Sequence, residues 1–178
     1  MNDFVKGVRE DDYPFYDAFP HAKEVVLIGA TNAGKSSLIN ALNNGEEVAY
    51  TAKAPGKTQE IMFYLAQNTV HRRKKGMLVD TPGYGYIAAP AHLKAKWRNM
   101  LFKYLGHGVR VNLILLLVSA HLGLRAGDLR MLEDLAALRK PVQLVLTKAD
   151  KLRHQSQLLQ VTSETASKAA AFREFVYP

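Results

Sequence analysis

The sequence predicts an α/β fold, a mostly parallel sheet with helices on both faces. Short apolar runs at Glu24 to Ile28, Ile61 to Ala66, Met77 to Val79, Val111 to Val118 and Pro141 to Leu146 alternate with helical periodicities, the pattern of covered parallel strands. A Gly-x4-Gly-Lys-Ser stretch stands between the first strand and the first helix, where such folds bind phosphates. The length, 178 residues, suits one domain with a single core.

The elements follow in order. Residues 1–20 mix acids with aromatics (Phe4, Tyr13, Phe15, Tyr16, Phe19) and prolines and read as an N-terminal strap, with the domain proper at 21–178. After the first strand, a helix runs from about Lys35 to Asn43. Residues 44–59 hold Gly, Pro, Lys and Thr without periodicity and form a long loop, a length that is usually functional. The strands at Ile61 and Met77 are joined by a polar turn containing Arg72-Arg73-Lys74-Lys75. From Pro90 to Leu105, Leu93, Trp97, Met100, Leu101 and Tyr104 share one helical face. Val111 to Val118 is the central strand. Asp128 to Leu138 is a helix with Leu132, Leu135 and Ala136 inward, and a last helix spans about Gln155 to Phe172.

Composition narrows the chemistry. Hydrophobic residues make up 48% and charged residues 22%, ordinary for a globular protein. No cysteine is present, so disulfides, thiol catalysis and cysteine metal sites are excluded. The longest apolar run, around Leu113 to Val118, is far too short to cross a bilayer, and no membrane partner is expected. The six histidines are scattered without ligand spacing. Asp3, Glu10, Asp11, Asp12 and Asp17 make the N-terminus unlike an organelle transit peptide. The net charge of +8 favours a polyanionic partner or a merely soluble basic surface.

The motifs point to a nucleotide. Gly29, Ala30, Thr31, Asn32, Ala33, Gly34, Lys35, Ser36 and Ser37 form a phosphate loop whose backbone N–H groups turn inward, reinforced by the positive helix N-terminus. Lys35 would bridge the β and γ phosphates and the Ser36 hydroxyl would ligate Mg²⁺. Asp80-Thr81-Pro82-Gly83 ends a strand. Asp80 would hold a Mg²⁺-bound water, and the Gly83 N–H would sense the γ-phosphate. Thr58, in the long loop, is placed to be a second Mg²⁺ ligand. Thr147-Lys148-Ala149-Asp150 follows a strand at the carboxyl edge of the sheet. There Asp150 would accept from guanine's ring N–H and amine, donors that adenine lacks, while the Lys148 stem lies against the base. The ligand read from these residues is GTP or GDP with Mg²⁺.

With these residues in view, the chain resembles the EngB (YihA/YsxC) GTPases of the TrmE–Era–EngA–EngB branch. The resemblance rests on Gly29 to Asn40, Ala54-Pro-Gly-Lys-Thr-Gln59, Leu78 to Tyr86 and Thr147 to Leu152, and covers about residues 20–153. It implies a Ras-like P-loop GTPase. Gly56, Lys57, Thr58, Gln59 and Glu60 would be the first switch, and Ser36 and Thr58 the Mg²⁺ ligands. Asn32 occupies the position where related GTPases hold a potassium ion. Tyr84 stands where Ras-type enzymes place a water-orienting glutamine, so intrinsic hydrolysis should be slow and stimulated by potassium or by the ribosome. Lys35, Thr58, Gly83 and Asn32 would be the groups that act in hydrolysis. The departures are Thr81 where the family usually has Leu, one extra residue around His121-Leu-Gly-Leu, and a chain that stops at Pro178, before the family's last strand and closing helix.

The family acts in assembly of the large ribosomal subunit, so the implied partners are a subunit precursor, its rRNA and its proteins, with no DNA expected. Arg72 to Lys75 and Lys94, Lys96, Arg98 and Lys103 are the candidate rRNA phosphate contacts. Two other readings stay open: a GTP-holding structural placeholder that does not turn over, and a signalling-type GTPase with protein effectors only. Divergence from the usual family residues leans towards the mitochondrial matrix, with bacterial cytoplasm as the alternative.

Overall fold

The computed structural model describes residues 21–43, 47–49, 61–67, 75–85, 90–108 and 110–177. The proposed strap at 1–20, the first-switch residues Gly56 to Glu60 and the basic stretch Arg72 to Lys74 lie outside them. Among the described residues six strands form one sheet: β1 (Lys23–Gly29), β2 (Met62–Gln67), β3 (Lys75–Asp80), β4 (Val111–Ser119), β5 (Val142–Thr147) and β6 (Val176–Tyr177). Their order is β2-β3-β1-β4-β5-β6. Only the β2–β3 pair is antiparallel. Four α-helices among the described residues connect them: α1 (Lys35–Leu42), α2 (Ala91–His107), α3 (Ala126–Ala137) and α4 (Gln155–Ala169).

The sheet separates two cores. On one face, Val26, Ile28, Ile114, Leu116 and Val118 pack under Leu101, Tyr104 and Leu105 of α2 and Met131, Leu132 and Leu135 of α3. On the other, Leu27 and Leu117 pack with Ile39 of α1 and Tyr64 of β2. β1 and β4 are the most buried strands because both faces are covered. β5 remains half-exposed beyond Val142, and Leu115 and Val145 are only partly covered beside α1.

Three expectations are corrected. Lys75 pairs with Gln67 and belongs to β3 rather than to the preceding turn. The helix expected from Asp128 begins at Ala126, because the Asp128 carboxylate reaches back 2.8 Å to accept from the Arg125 N–H; the acid sits two residues into the first turn instead of opening it. A last strand does begin: Val176–Tyr177 joins β5 in parallel at Val142 and Gln143. Two residues are too few to produce a readable periodicity.

Candidate functional site

The carboxyl ends of β1, β3 and β5 meet at one end of the sheet, and the three motifs gather there. β1 runs directly into the phosphate loop. Gly34 has φ 98° and Asn32 φ 64°, left-handed conformations that Gly adopts freely and Asn tolerates. Gly29 packs so closely on β4 that an added Cβ would stand 2.7 Å from the Leu117 carbonyl oxygen. Lys35 is buried at the start of α1, and its Nζ donates to the carbonyls of Gly29 at 3.1 Å and Ala30 at 3.2 Å. Burial lowers its pKa to about 8, opposed by the charge of Asp80. The Ser37 side chain is exposed.

Asp80 closes β3 beside this loop. Ser36 Oγ donates to its Oδ2 at 2.6 Å. Burial raises the Asp80 pKa, against the Ser36 hydrogen bond and the Lys35 charge. Its Oδ1 is buried without a hydrogen-bond partner among the described residues, an acceptor that must be satisfied by something else. A hydroxyl and a carboxylate in contact at a helix N-terminus, one lone pair unspent, are the oxygen donors that Mg²⁺ takes alongside phosphate. The residues fit that ion and a nucleotide's phosphates. Thr81 points elsewhere: fully buried, its hydroxyl donates to the Leu27 carbonyl at 2.7 Å, so Thr satisfies a backbone acceptor of β1. Pro82 beside it is also buried.

The segment after Asp80 is fastened to the phosphate loop. Thr31 N–H donates to the Tyr84 carbonyl at 3.0 Å, and Ala30 and Tyr84 form a parallel bridge. Gly83 lies so close that a Cβ would stand 2.7 Å from Thr31 Cα. Backbone cannot give way there, so only Gly fits. The Tyr84 hydroxyl donates to Asp128 Oδ1 on α3 at 2.6 Å. Burial first, then this acid, pushes the tyrosine's pKa far up. The carbonyl and the hydroxyl of Tyr84 are therefore committed, one to the loop and one to α3.

At the end of β5, Thr147 Oγ1 donates to the Ala33 carbonyl at 2.6 Å. Lys148, at φ 57°, donates from Nζ to the Asn32 carbonyl at 2.5 Å. Its stem thus crosses over the loop, and Ala149 and Asp150 stand exposed in the following turn. Asp150, exposed two residues after Lys148, is the acid this end of the sheet offers to a ligand. Asp128 was missed in the sequence because its role needs Tyr84, 44 residues away. Asn40 was missed too. Buried in α1, it accepts from the N–H groups of Val48 and Ala49 and donates to the Ala49 carbonyl. The available signal was a polar residue on the helix's inward face.

Comparison with known proteins agrees with this geometry. Residues 24–148 match the family model described as 50S ribosome-binding GTPase. The chain is 40% identical over 135 residues to a probable GTP-binding protein EngB of Neisseria gonorrhoeae, covering 76% of this chain and 62% of that one. It thus spans about three fifths of that relative's length. It is 41% identical over 146 residues to a probable GTP-binding protein EngB of Thiobacillus denitrificans, covering 82% and 68%. Among solved structures, Aquifex aeolicus Era bound to GDP·AlF4⁻ aligns with TM-score 0.66 at 25% identity, over 89% of this chain and 50% of that one. A probable GTP-binding protein EngB aligns with TM-score 0.62 at 20% identity over 87% of both chains. These curated relatives are bacterial and give the mitochondrial reading no support. The chain belongs to the EngB family of GTP-binding proteins, within the 50S ribosome-binding GTPases.

Proposed function

We propose that this protein binds Mg²⁺·GTP, hydrolyses it slowly, and uses the nucleotide to switch its docking on a maturing large ribosomal subunit in the bacterial cytoplasm. The observation that carries the nucleotide assignment is the convergence of Lys35, Asp80 and Asp150 at the carboxyl ends of β1, β3 and β5. Lys35 would neutralise the β and γ phosphates, whose charge restores the full protonation that burial weakens. Ser36 and Asp80 would hold Mg²⁺, joined by Thr58. Mg²⁺ supplies charge neutralisation across the transferred phosphoryl group. Asp150 reads guanine, and Lys148 lies on the base.

Slow turnover follows from Tyr84. Its hydroxyl is committed to Asp128 on α3, and a phenol is a poor base for an attacking water. Asn32, held in the left-handed region by the loop, is the residue assigned to a potassium ion that would supply missing positive charge. The γ-phosphate would accept from the Gly83 N–H and draw the Gly83–Tyr84 segment towards it, and its loss would let that segment relax. The large-subunit partner rests on the family description, and the basic composition favours rRNA contact. The same locked Tyr84 favours a second reading, a GTP-holding placeholder that does not turn over. Single-turnover hydrolysis with and without potassium and ribosomal particles separates them. Stimulation supports the switch, and a flat zero in every condition supports the placeholder.

A further inference from the structure

Parallel strands all enter the sheet at the end remote from the nucleotide site, and in this chain nearly every entry carries a cation. Lys23 opens β1 and Lys75 opens β3, Arg110 precedes β4, Arg139 and Lys140 precede β5, and Arg173 precedes β6. Pairing places these entries side by side. Lys23 is level with Gly76, Glu24 N–H donates to the Arg110 carbonyl, and Val142 N–H donates to the Phe175 carbonyl. Lys140 Nζ reaches the Gly108 carbonyl at 2.9 Å, just ahead of β4. Five adjacent strands at the usual spacing make a row about 20 Å long.

Little exposed negative charge offsets this row; Glu24, which lies near Arg110 and Lys140, is buried. Glu24 is 1% exposed and bound to the Tyr104 hydroxyl; Glu174, beside Arg173, is the exposed acid on these entries among the described residues. Lys23, Arg139 and Arg173 are exposed. The acids Asp80, Asp128 and Asp150 sit at the opposite, nucleotide-binding end. Of the helix cations expected to meet rRNA, Arg98 is already engaged. Arg98 is paired with Asp134 at 2.5 Å and lies over the Phe102 ring.

We propose that this strand-entry edge is an RNA-docking surface that grips phosphate backbone at the end opposite the nucleotide. A row of fixed cations fits a repeating polyanion better than a single anion, because each neutralised phosphate releases counterions. The assignment rests on the ribosomal reading above and names the surface that serves it. It leaves the nucleotide end facing away from the RNA, free for other subunit components.

The test uses the full chain with GDP, a labelled RNA hairpin of mixed sequence, large-subunit rRNA as competitor, and vesicles of phosphatidylcholine with phosphatidylglycerol. The triple variant Lys23→Gln, Arg139→Asn, Arg173→Gln removes exposed charge, with Asn chosen because Arg139 has φ 50°. Anisotropy should show weaker RNA binding and a log–log salt slope reduced by about 3, about one per lost phosphate contact. GDP affinity and melting temperature should stay unchanged. A charge-conserving variant, Lys23→Arg, Arg139→Lys, Arg173→Lys, should bind RNA as wild type does and guards against a folding artefact. If the triple variant binds RNA normally while Lys94→Gln, Lys96→Gln does not, the edge assignment is overturned and the ribosomal reading stands. If wild type binds no RNA, both fall. If wild type prefers the anionic vesicles to RNA, the edge is a membrane surface and the proposal is wrong.

Discussion

The Thr147 hydroxyl donates to the Ala33 carbonyl across 2.6 Å, joining the end of β5 to the phosphate loop 114 residues earlier in the chain. Lys148 repeats the connection one carbonyl earlier, at Asn32. The segment that would read the base and the loop that would hold the phosphates are thus joined by two side-chain hydrogen bonds. Thr147→Val keeps the shape and removes the donor. Losing one such bond costs about 1 kcal/mol, so affinity for a fluorescent GDP should fall about five- to tenfold. Unchanged affinity would show that the two segments act independently.

Tyr84 and Asp128 form the second tie. Tyr84→Phe leaves a buried carboxylate oxygen without its donor, at a cost of about 1–3 kcal/mol, read as a shift in urea midpoint. A double-mutant cycle with Asp128→Asn should give a coupling of about 1 kcal/mol. Additive single effects would mean that the contact holds nothing in place.

Asn40 holds part of the long loop by three hydrogen bonds to Val48 and Ala49. Asn40→Ala should destabilise the fold by about 2–3 kcal/mol. Hydrogen exchange at Val48 and Ala49 should quicken well beyond that at β4. Equal acceleration everywhere would place the effect in global stability alone.

Glu24 makes stability depend on pH. Burial raises its pKa above the ordinary 4.5, against the Tyr104 hydroxyl and the charges of Arg110 and Lys140. The folded state then keeps the proton to higher pH than the unfolded chain, so the gain is complete below 4.5 and lost as pH rises through the raised folded value. Glu24→Gln should erase that downward slope in urea midpoints over the same window. A slope that survives must come from another group.

How much of this was readable in the sequence divides by distance along the chain. The phosphate loop, Asp80 to Gly83 and Thr147 to Asp150 are contiguous, and each sits at a strand end that apolar patterning reveals. The apolar runs placed β1, β4 and β5 within a residue or two; β1 and β4 are covered on both faces and leave a strong apolar signal, and β5 is an unbroken run bounded by Pro141 and the Thr147 motif. What could not be read were the partners. Tyr104 meets Glu24 across 80 residues, and Thr81 meets the Leu27 carbonyl across 54. Such pairs depend on strand order, which no local pattern encodes. Thr81 illustrates the point: read as part of a phosphate motif, its hydroxyl is committed to holding β3 on β1.

The central claim is that Lys35, Asp80 and Asp150 together form a guanine nucleotide site. Calorimetric titration of the chain with GDP, GTP and ATP in Mg²⁺, repeated on Asp150→Ala, tests it most directly. A site whose carboxylate is left unpaired by adenine should favour GTP over ATP by on the order of 10²-fold or more. Asp150→Ala should remove most of that preference while Lys35 still holds the phosphates. ATP binding as tightly as GTP, or an Asp150→Ala variant that binds GTP as wild type does, would contradict the account.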